Sequence, residues 1–552
     1  MGSSSGGSPS RRLKIDKEDV EERAELEEED NRSISSTLST PSSSAENNRG
    51  IQLSRTKTTI TFPHDDQDLP YNWSKRKKVF VVVVSILTVM NSTVSSGLAS
   101  NSAPYVGVQF GITNKSLLVL PTSIFLLGYT VGPQIFGPMS EQYGRKTVML
   151  IAFAFYGIFT MAVALSPNFA ALVIFRFLEG IAAACPIVVV GGTCADIFKN
   201  PESRGRALAI FMGSTTFGPC LGPVISGYVS PTISWRWSFW VGLIFAGVAF
   251  VPLCLVPETY APVLLKHRAR KLRKIPGNEH VYAPIELEKQ DIGHLITVVL
   301  TRPIRMFFFE AIVLFSSLYL SVAYGIFYMF FLAYPVVYVD IYGFSPGEEG
   351  LTFLAIGVGA CIACVVYISW DVVLRKAHAQ NKEWVRKEEM TRLPLACLAG
   401  PFFIASCFWL GWSAKEGIHW IVPVLSGVSF GIGYLLIFMA LLNYLVDAYK
   451  IFAASAMAAA STSRSLFGAI LPFAATPMYE KLGVAWACSL LGFLSCFMAL
   501  IPFVFIWKGT QIRARSKFCQ FLIQKEKEDE EARLKKEARH TEREAKVEKQ
   551  EV

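Results

Sequence analysis

The chain has 552 residues, of which 52% are hydrophobic and only 18% charged, with a formal net charge of +9 and a mean hydropathy of +0.37. Soluble domains carry about a quarter charged residues, so these values exclude a disordered chain, a secreted disulfide scaffold and a compact soluble enzyme. The basic excess lies at the ends of apolar runs rather than on one soluble face, which argues against nucleic acid and for a lipid bilayer as partner.

In chain order, residues 1–70 are Ser-rich with an acidic patch from Glu18 to Glu29 and lack the hydrophobes to fold; a disordered tail is expected. No signal-peptide pattern precedes the first apolar run, so that run is expected to direct insertion. A membrane-crossing helix needs about 20 mainly apolar residues. Twelve stretches qualify: 79–100, 115–137, 147–166, 169–195, 205–229, 236–256, 305–334, 348–370, 393–412, 419–446, 452–475 and 483–507. The seventh is long, with Gly325 or Pro335 as the expected break. The fold class this predicts is an all-α membrane protein, with a six-helix bundle over 71–256, a central loop over 257–304, a second bundle over 305–507 and a charged tail over 508–552. Lys and Arg crowd one set of connections (Lys75 to Lys78, Arg145 and Lys146, the clusters at 266–274 and 371–392), whereas the opposite set holds Lys115, Arg236, Lys415 and Lys481. By the positive-inside rule both termini and the central loop face the cytosol. Most of the 11 cysteines sit inside apolar runs without ligand spacing, as small reduced hydrophobes do.

The halves repeat. Asp196 and Asp447 end spans 4 and 10, Tyr228 and Tyr479 close spans 5 and 11, and Trp235 and Trp486 open spans 6 and 12, each pair 251 residues apart. Parallel repeats of this kind build transporters whose substrate site lies between the halves near the midplane.

Three motifs carry chemistry. The connection after span 2 contains Gly137, Glu141, Gly144, Arg145 and Lys146, where two glycines suit a sharp turn and the cations suit the headgroup region. In span 4, Arg176 and Glu179 lie on one face about 10 Å inside the membrane. An ionisable pair at that depth either handles protons or a charged substrate, or is a structural ion pair. Span 5 places Gly213, Gly218, Pro219, Gly222, Pro223 and Gly227 at spacings that allow close helix contact. Together these resemble the major facilitator superfamily: the first matches its G-x-L-a-D-r-x-G-r-k signature with Glu141 for Asp, the second its R-x-x-q-G motif with Glu179 for Gln. The third resembles the antiporter motif of drug:proton exchangers, with Pro223 in place of a second Gly. Asn72-Trp73-Ser74, Pro257-Glu-Thr-Tyr-Ala-Pro262 and Arg464-Ser-Leu-Phe-Gly468 are similar to the fungal twelve-span drug:proton antiporters.

That resemblance implies export of drugs, polyamine-like cations or other amphipathic molecules across the plasma membrane by a monomer driven by proton influx, with no cofactor and no catalytic activity. It implies that Asp196 pairs with Arg145 as a latch at the cytosolic gate, and that Asp447 does the same in the second half; the alternative is carboxylates that face water. Cavity candidates are Asn91, Ser214, Thr215, Arg176 and Glu179, with Tyr319, Tyr324, Tyr328 and Phe331 as an aromatic set for flat or cationic molecules; lipid-facing packing is the alternative for the aromatics. Glu179 is the first candidate for the proton carrier and Glu310 the second, although Glu310 could instead reach the headgroups. A proton-independent facilitator and a non-transporting sensor are the competing functions. The sequence has no G-x-x-x-x-G-K-[ST] loop, which argues against an ATP-driven pump.

Overall fold

The computed structural model describes residues 58–534, apart from 64–65, 277, 279, 288–291, 517, 523, 526, 529 and 532–533. The greater part of the expected N-terminal tail, and 535–552 of the expected C-terminal one, lie outside the described residues. Among the described residues, seventeen α-helices build the fold. The first half holds α1 (Lys75–Leu98), the short α2 (Ala103–Phe110), α3 (Lys115–Tyr143), α4 (Arg145–Ala164), α5 (Phe169–Ile197), α6 (Pro201–Thr232) and α7 (Trp235–Leu255). Side-chain caps start most of these helices: Asn114, Asn168 and Asn200 each accept from a backbone N–H of the first turn, at 2.8–2.9 Å.

Between the halves run α8 (Ala261–Leu272), α9 (Pro284–Leu287) and α10 (Ile292–Phe309). The central loop of the sequence reading is therefore largely helical, and residues 58–63 of the expected disordered tail dock on it. Strand β1 (Thr58–Thr59) pairs in parallel with β2 (Val281–Tyr282), and Ala269, Val281 and Ala283 form a small core beneath. Arg268 holds Asp66. Arg273 donates to Glu286 at 2.7 Å. Burial pushes the Glu286 carboxyl up, but the Ala283 N–H and Arg273 outweigh it and hold the group below its usual range.

The second half comprises α11 (Ala311–Tyr334), α12 (Pro346–Thr352), α13 (Leu354–Ala379), α14 (Glu388–Ser413), α15 (Ile421–Tyr449), α16 (Ala453–Ile470) and α17 (Pro472–Arg515). The break expected in span 7 falls at neither Gly325 nor Pro335. Glu310, extended at φ −106° and ψ 108°, separates α10 from α11, and Pro335 instead opens a π-helical turn that lengthens the span to Ile341.

Among the described residues, eleven helices are long and apolar enough to cross a membrane. The twelfth crossing is hidden by composition and by a kink. Helix α16 is rich in Ala and Ser and carries Arg464, which dilutes its hydropathy. It continues through Leu471, whose backbone stays helical (φ −60°, ψ −34°); Pro472 only removes one ladder hydrogen bond. The helix ends at Leu482, because Gly483 adopts φ +71° and ψ 168°, and the remainder of α17 is the last span. Among the described residues, twelve crossings in two six-helix bundles result, as the hydropathy predicts. Hereafter the end of the bundles bearing Arg145, Arg375 and Arg392 is the basic face.

Candidate functional site

Helix α5 carries Arg176 and Glu179 one turn apart, and both side chains are fully buried. Arg176 Nη1 lies 3.0 Å from Glu179 Oε2. The other Glu179 oxygen accepts from Ser95 Oγ at 2.5 Å and Thr160 Oγ1 at 3.1 Å. Arg176 also donates to the Pro121 and Ser95 carbonyls, and its guanidinium stacks 4.3 Å from the Phe125 ring centroid. Four helices of one half thus satisfy the pair, in its own bundle core. Asn91 likewise turns inward, donating to the Gly242 carbonyl of α7 at 3.4 Å.

At the basic face the sharp turn rests on one glycine rather than two. Gly144 has φ +96°, whereas Gly137 lies within α3 and a Cβ there would make only ordinary contact with Val188. Beyond the turn, Arg145 pairs with Asp196 at 3.2 Å, donates to Ser140 Oγ at 2.6 Å and comes within 3.8 Å of Glu141. Glu258 accepts from the backbone N–H groups of Arg145 and Lys146, so it caps α4 with charge of the sign that a helix N-terminus favours. Ser140 and Glu258 were not singled out from sequence, although Glu258 lies in the Pro257–Pro262 motif.

The second half repeats the arrangement: Arg392 donates to Asp447 at 2.9 Å and to the Tyr367 hydroxyl at 3.1 Å. The degenerate spacing of 371–392 hides Arg392 as the counterpart of Arg145. Both ion pairs join helices of the same half. Across the halves at this face, Arg375 of α13 reaches Glu202 of α6.

The span 5 glycines divide between two surfaces. A Cβ at Gly222 would press on Gly97 and Leu98, with Leu98 N at 2.8 Å, and one at Gly218 would strike Thr93, so these two hold α6 against α1. Gly213 faces Cys364 of α13 and Gly227 faces Pro346 of α12, which lie in the other half. Pro219 and Pro223 join in: the Pro219 carbonyl lies against Gly97, and that of Pro223 lies against Gly350.

At the face opposite the basic one, Asn101 Nδ2 donates to Glu349 Oε2 at 2.5 Å, to the Pro346 carbonyl at 3.2 Å and to the Pro223 carbonyl at 3.3 Å. Glu349 is wholly buried, and its second oxygen has no hydrogen-bond partner among the described residues. This contact seals the halves together at that face. Asn101→Ala is expected to strand a buried carboxyl and loosen the seal, measured as hydrogen exchange at least several-fold faster in peptides 94–102 and 346–352. Unchanged exchange would show that packing alone closes this face.

In the interior, Tyr324 and Tyr328 stand 5.0 Å apart, centroid to centroid. The Tyr328 hydroxyl crosses the halves to Ser96 Oγ at 2.9 Å. Tyr319, Tyr328 and Phe331 are buried, so lipid-facing packing is not their place. Tyr319 lies within the second bundle, 3.8 Å from where a Gly400 Cβ would stand. Ser214 and Thr215 return their hydroxyls to the Phe211 and Met212 carbonyls of their own helix. Glu310 is buried and accepts from the Tyr449 hydroxyl at 3.0 Å. Sequence reading did not single out Arg464 as a site residue. Its guanidinium stands 5.6 Å from the ring centroids of both Tyr324 and Phe438.

The profile of the Major Facilitator Superfamily matches residues 84–472. The chain is 38% identical over 463 residues to the transporter paaT of Penicillium rubens, covering 83% of each protein. It is 37% identical to the citrinin biosynthesis cluster MFS transporter mrr1 of Monascus ruber, covering 82% of this chain and 91% of that one. It is 36% identical to the efflux pump FUB11 of Gibberella moniliformis, covering 83% and 77%. Among solved structures, the proton:xylose symporter XylE superposes with a TM-score of 0.56 at 19% identity, covering 79% of this chain and 96% of that one.

Proposed function

The chain belongs to the major facilitator superfamily, and from that premise we propose that it exports small amphipathic organic molecules across the plasma membrane in exchange for protons, with its basic face and both termini in the cytosol. The observation that carries this reading is the seal between the halves at Asn101 and Glu349. A carrier that alternates access must make and break such a contact at one face while the other opens. Relatives named as efflux pumps and biosynthesis-cluster transporters favour the outward direction. The lysines and arginines at the basic face favour its cytosolic placement.

Proton coupling needs a carboxylate that can change its charge as access alternates. Glu179 is fully engaged inside one bundle, which speaks against it. Glu310 has the Tyr449 hydroxyl as its hydrogen-bond partner and no cation within ion-pairing distance among the described residues, so it takes that role in our reading. The experiment is uptake of a fluorescent azole and of labelled spermine into inside-out vesicles holding the purified protein, with and without an acidic lumen. Accumulation that needs the gradient and that Glu310→Gln abolishes is expected, with the amphipathic azole ahead of spermine. Equal flux without the gradient would replace exchange by facilitated diffusion.

A further inference from the structure

Arg176 and Arg464 both lie well inside spans, and their surroundings differ in one respect. Arg176 has Glu179. Arg464 has no carboxylate within ion-pairing distance among the described residues, and its Nε is buried without a hydrogen-bond partner. It sits eleven residues from the start of α16 at Ala453, roughly 16 Å from the basic face at 1.5 Å per residue and so near the midplane. Tyr324 and Phe438 flank it at the same depth, and Tyr434 extends the ring surface, 4.5 Å from Phe438. Gly468, one turn along the same face of α16, packs against both Tyr324 and Leu126. Since Leu126 belongs to α3 of the other half, Arg464 stands where the halves meet. Two residues before it, Thr462 accepts from Gln134 of α3 at 2.9 Å.

A lone cation in the membrane interior is costly, and ring faces offset only part of that cost. Resting on the export reading above, we infer that Arg464 is the anchor for an anionic group of the exported molecule, and that the substrate class is aromatic or conjugated organic acids. The planar guanidinium presents paired donors that match a carboxylate. Tyr324, Tyr328 and Phe438 offer ring faces to the rest of the molecule. A polyamine would bring further positive charge to this place, and is disfavoured.

The test is binding to the full-length protein in lipid nanodiscs, using 1-naphthoate, its neutral isostere 1-naphthamide and the cation 1-naphthylmethylamine. The acid is expected to bind roughly tenfold or more tighter than the amide, as one charge-assisted contact would give, with the amine weaker still. Arg464→Gln should erase the preference for the acid, and Arg464→Lys should retain part of it. Equal binding of acid and amide by the unmodified protein, or a preference that survives Arg464→Gln, would overturn the assignment. If the Gln variant does not fold, the comparison of acid with amide in the unmodified protein and the Lys variant still decides. Acid-selective binding by a protein that moves no solute in vesicles would uphold the anchor and overturn export alone. Solute flux without any acid preference would do the reverse.

Discussion

Glu179→Ala is expected to lower the apparent unfolding temperature of the purified protein by about 3–4 °C, from a loss of about 3–5 kcal/mol. The cost comes from what remains. Arg176 is wholly buried, and without Glu179 its charge would keep two backbone carbonyls and the Phe125 ring as partners but no counter-charge. Glu179→Gln, which preserves shape and can still meet Ser95 and Thr160, should cost less. Converting both residues to leucine should recover much of the loss, because a well-packed apolar pair avoids the desolvation of two ions. Thermal unfolding followed by intrinsic fluorescence, set beside vesicle transport for the same variants, separates two meanings of the site. If Glu179→Gln keeps its unfolding temperature yet loses gradient-driven accumulation, Glu179 is a proton carrier and the structural account of the pair is wrong.

This pair also marks how far sequence carries. Depth and spacing placed Arg176 and Glu179 on one helical face, and the contact at 3.0 Å agrees. Nothing in the order of residues tells which way that face turns, so a core ion pair and a cavity pair read alike until Ser95, Thr160 and Pro121 close around it. The twelve apolar runs were legible because the bilayer imposes a length and a composition on each span. Span 11 was found from sequence even though its Ala, Ser and Arg464 thin its hydropathy. The start of span 7 was misplaced because α10 and α11 are apolar alike and only the extended backbone at Glu310 divides them.

The repeat behaves the same way. Asp196 and Asp447 correspond in space, each with its arginine. The tryptophan pair differs in its surroundings, since Trp235 is buried against Gln109 while Trp486 is exposed. Arg392 escaped notice because its loop differs in length from that of Arg145. Arg464 escaped because an arginine with no carboxylate beside it among the described residues is recognised by what is missing around it, and that is a property of packing alone.

Gly222→Leu is expected to abolish transport and to reduce folded yield several-fold, the second large effect. At this point α6 meets α1 backbone to backbone: a Cβ on Gly222 would stand 2.6 Å from the Gly97 Cα and 2.8 Å from the Leu98 N. No rotamer relieves a collision with main chain, so the helices must part. Small residues at such crossings let dispersion contacts and lipid release hold helices together where no hydrophobic force distinguishes protein from lipid. The consequences spread beyond the pair, because α6 also presents Gly227 to Pro346 and Pro223 to Gly350 in the other half, and Asn101 follows directly on α1. Parting α1 from α6 therefore displaces the donor that seals Glu349. Gly222→Ala is the graded version: its single methyl demands the same backbone shift on a smaller scale, so folding should survive with transport reduced. Gly205→Ala is the control, since a Cβ there meets nothing within 4 Å, and its yield and flux should match the unmodified protein. Full transport by Gly222→Ala would mean that this crossing yields at little cost, and that the glycine spacing of span 5 is not what sets the distance between the helices.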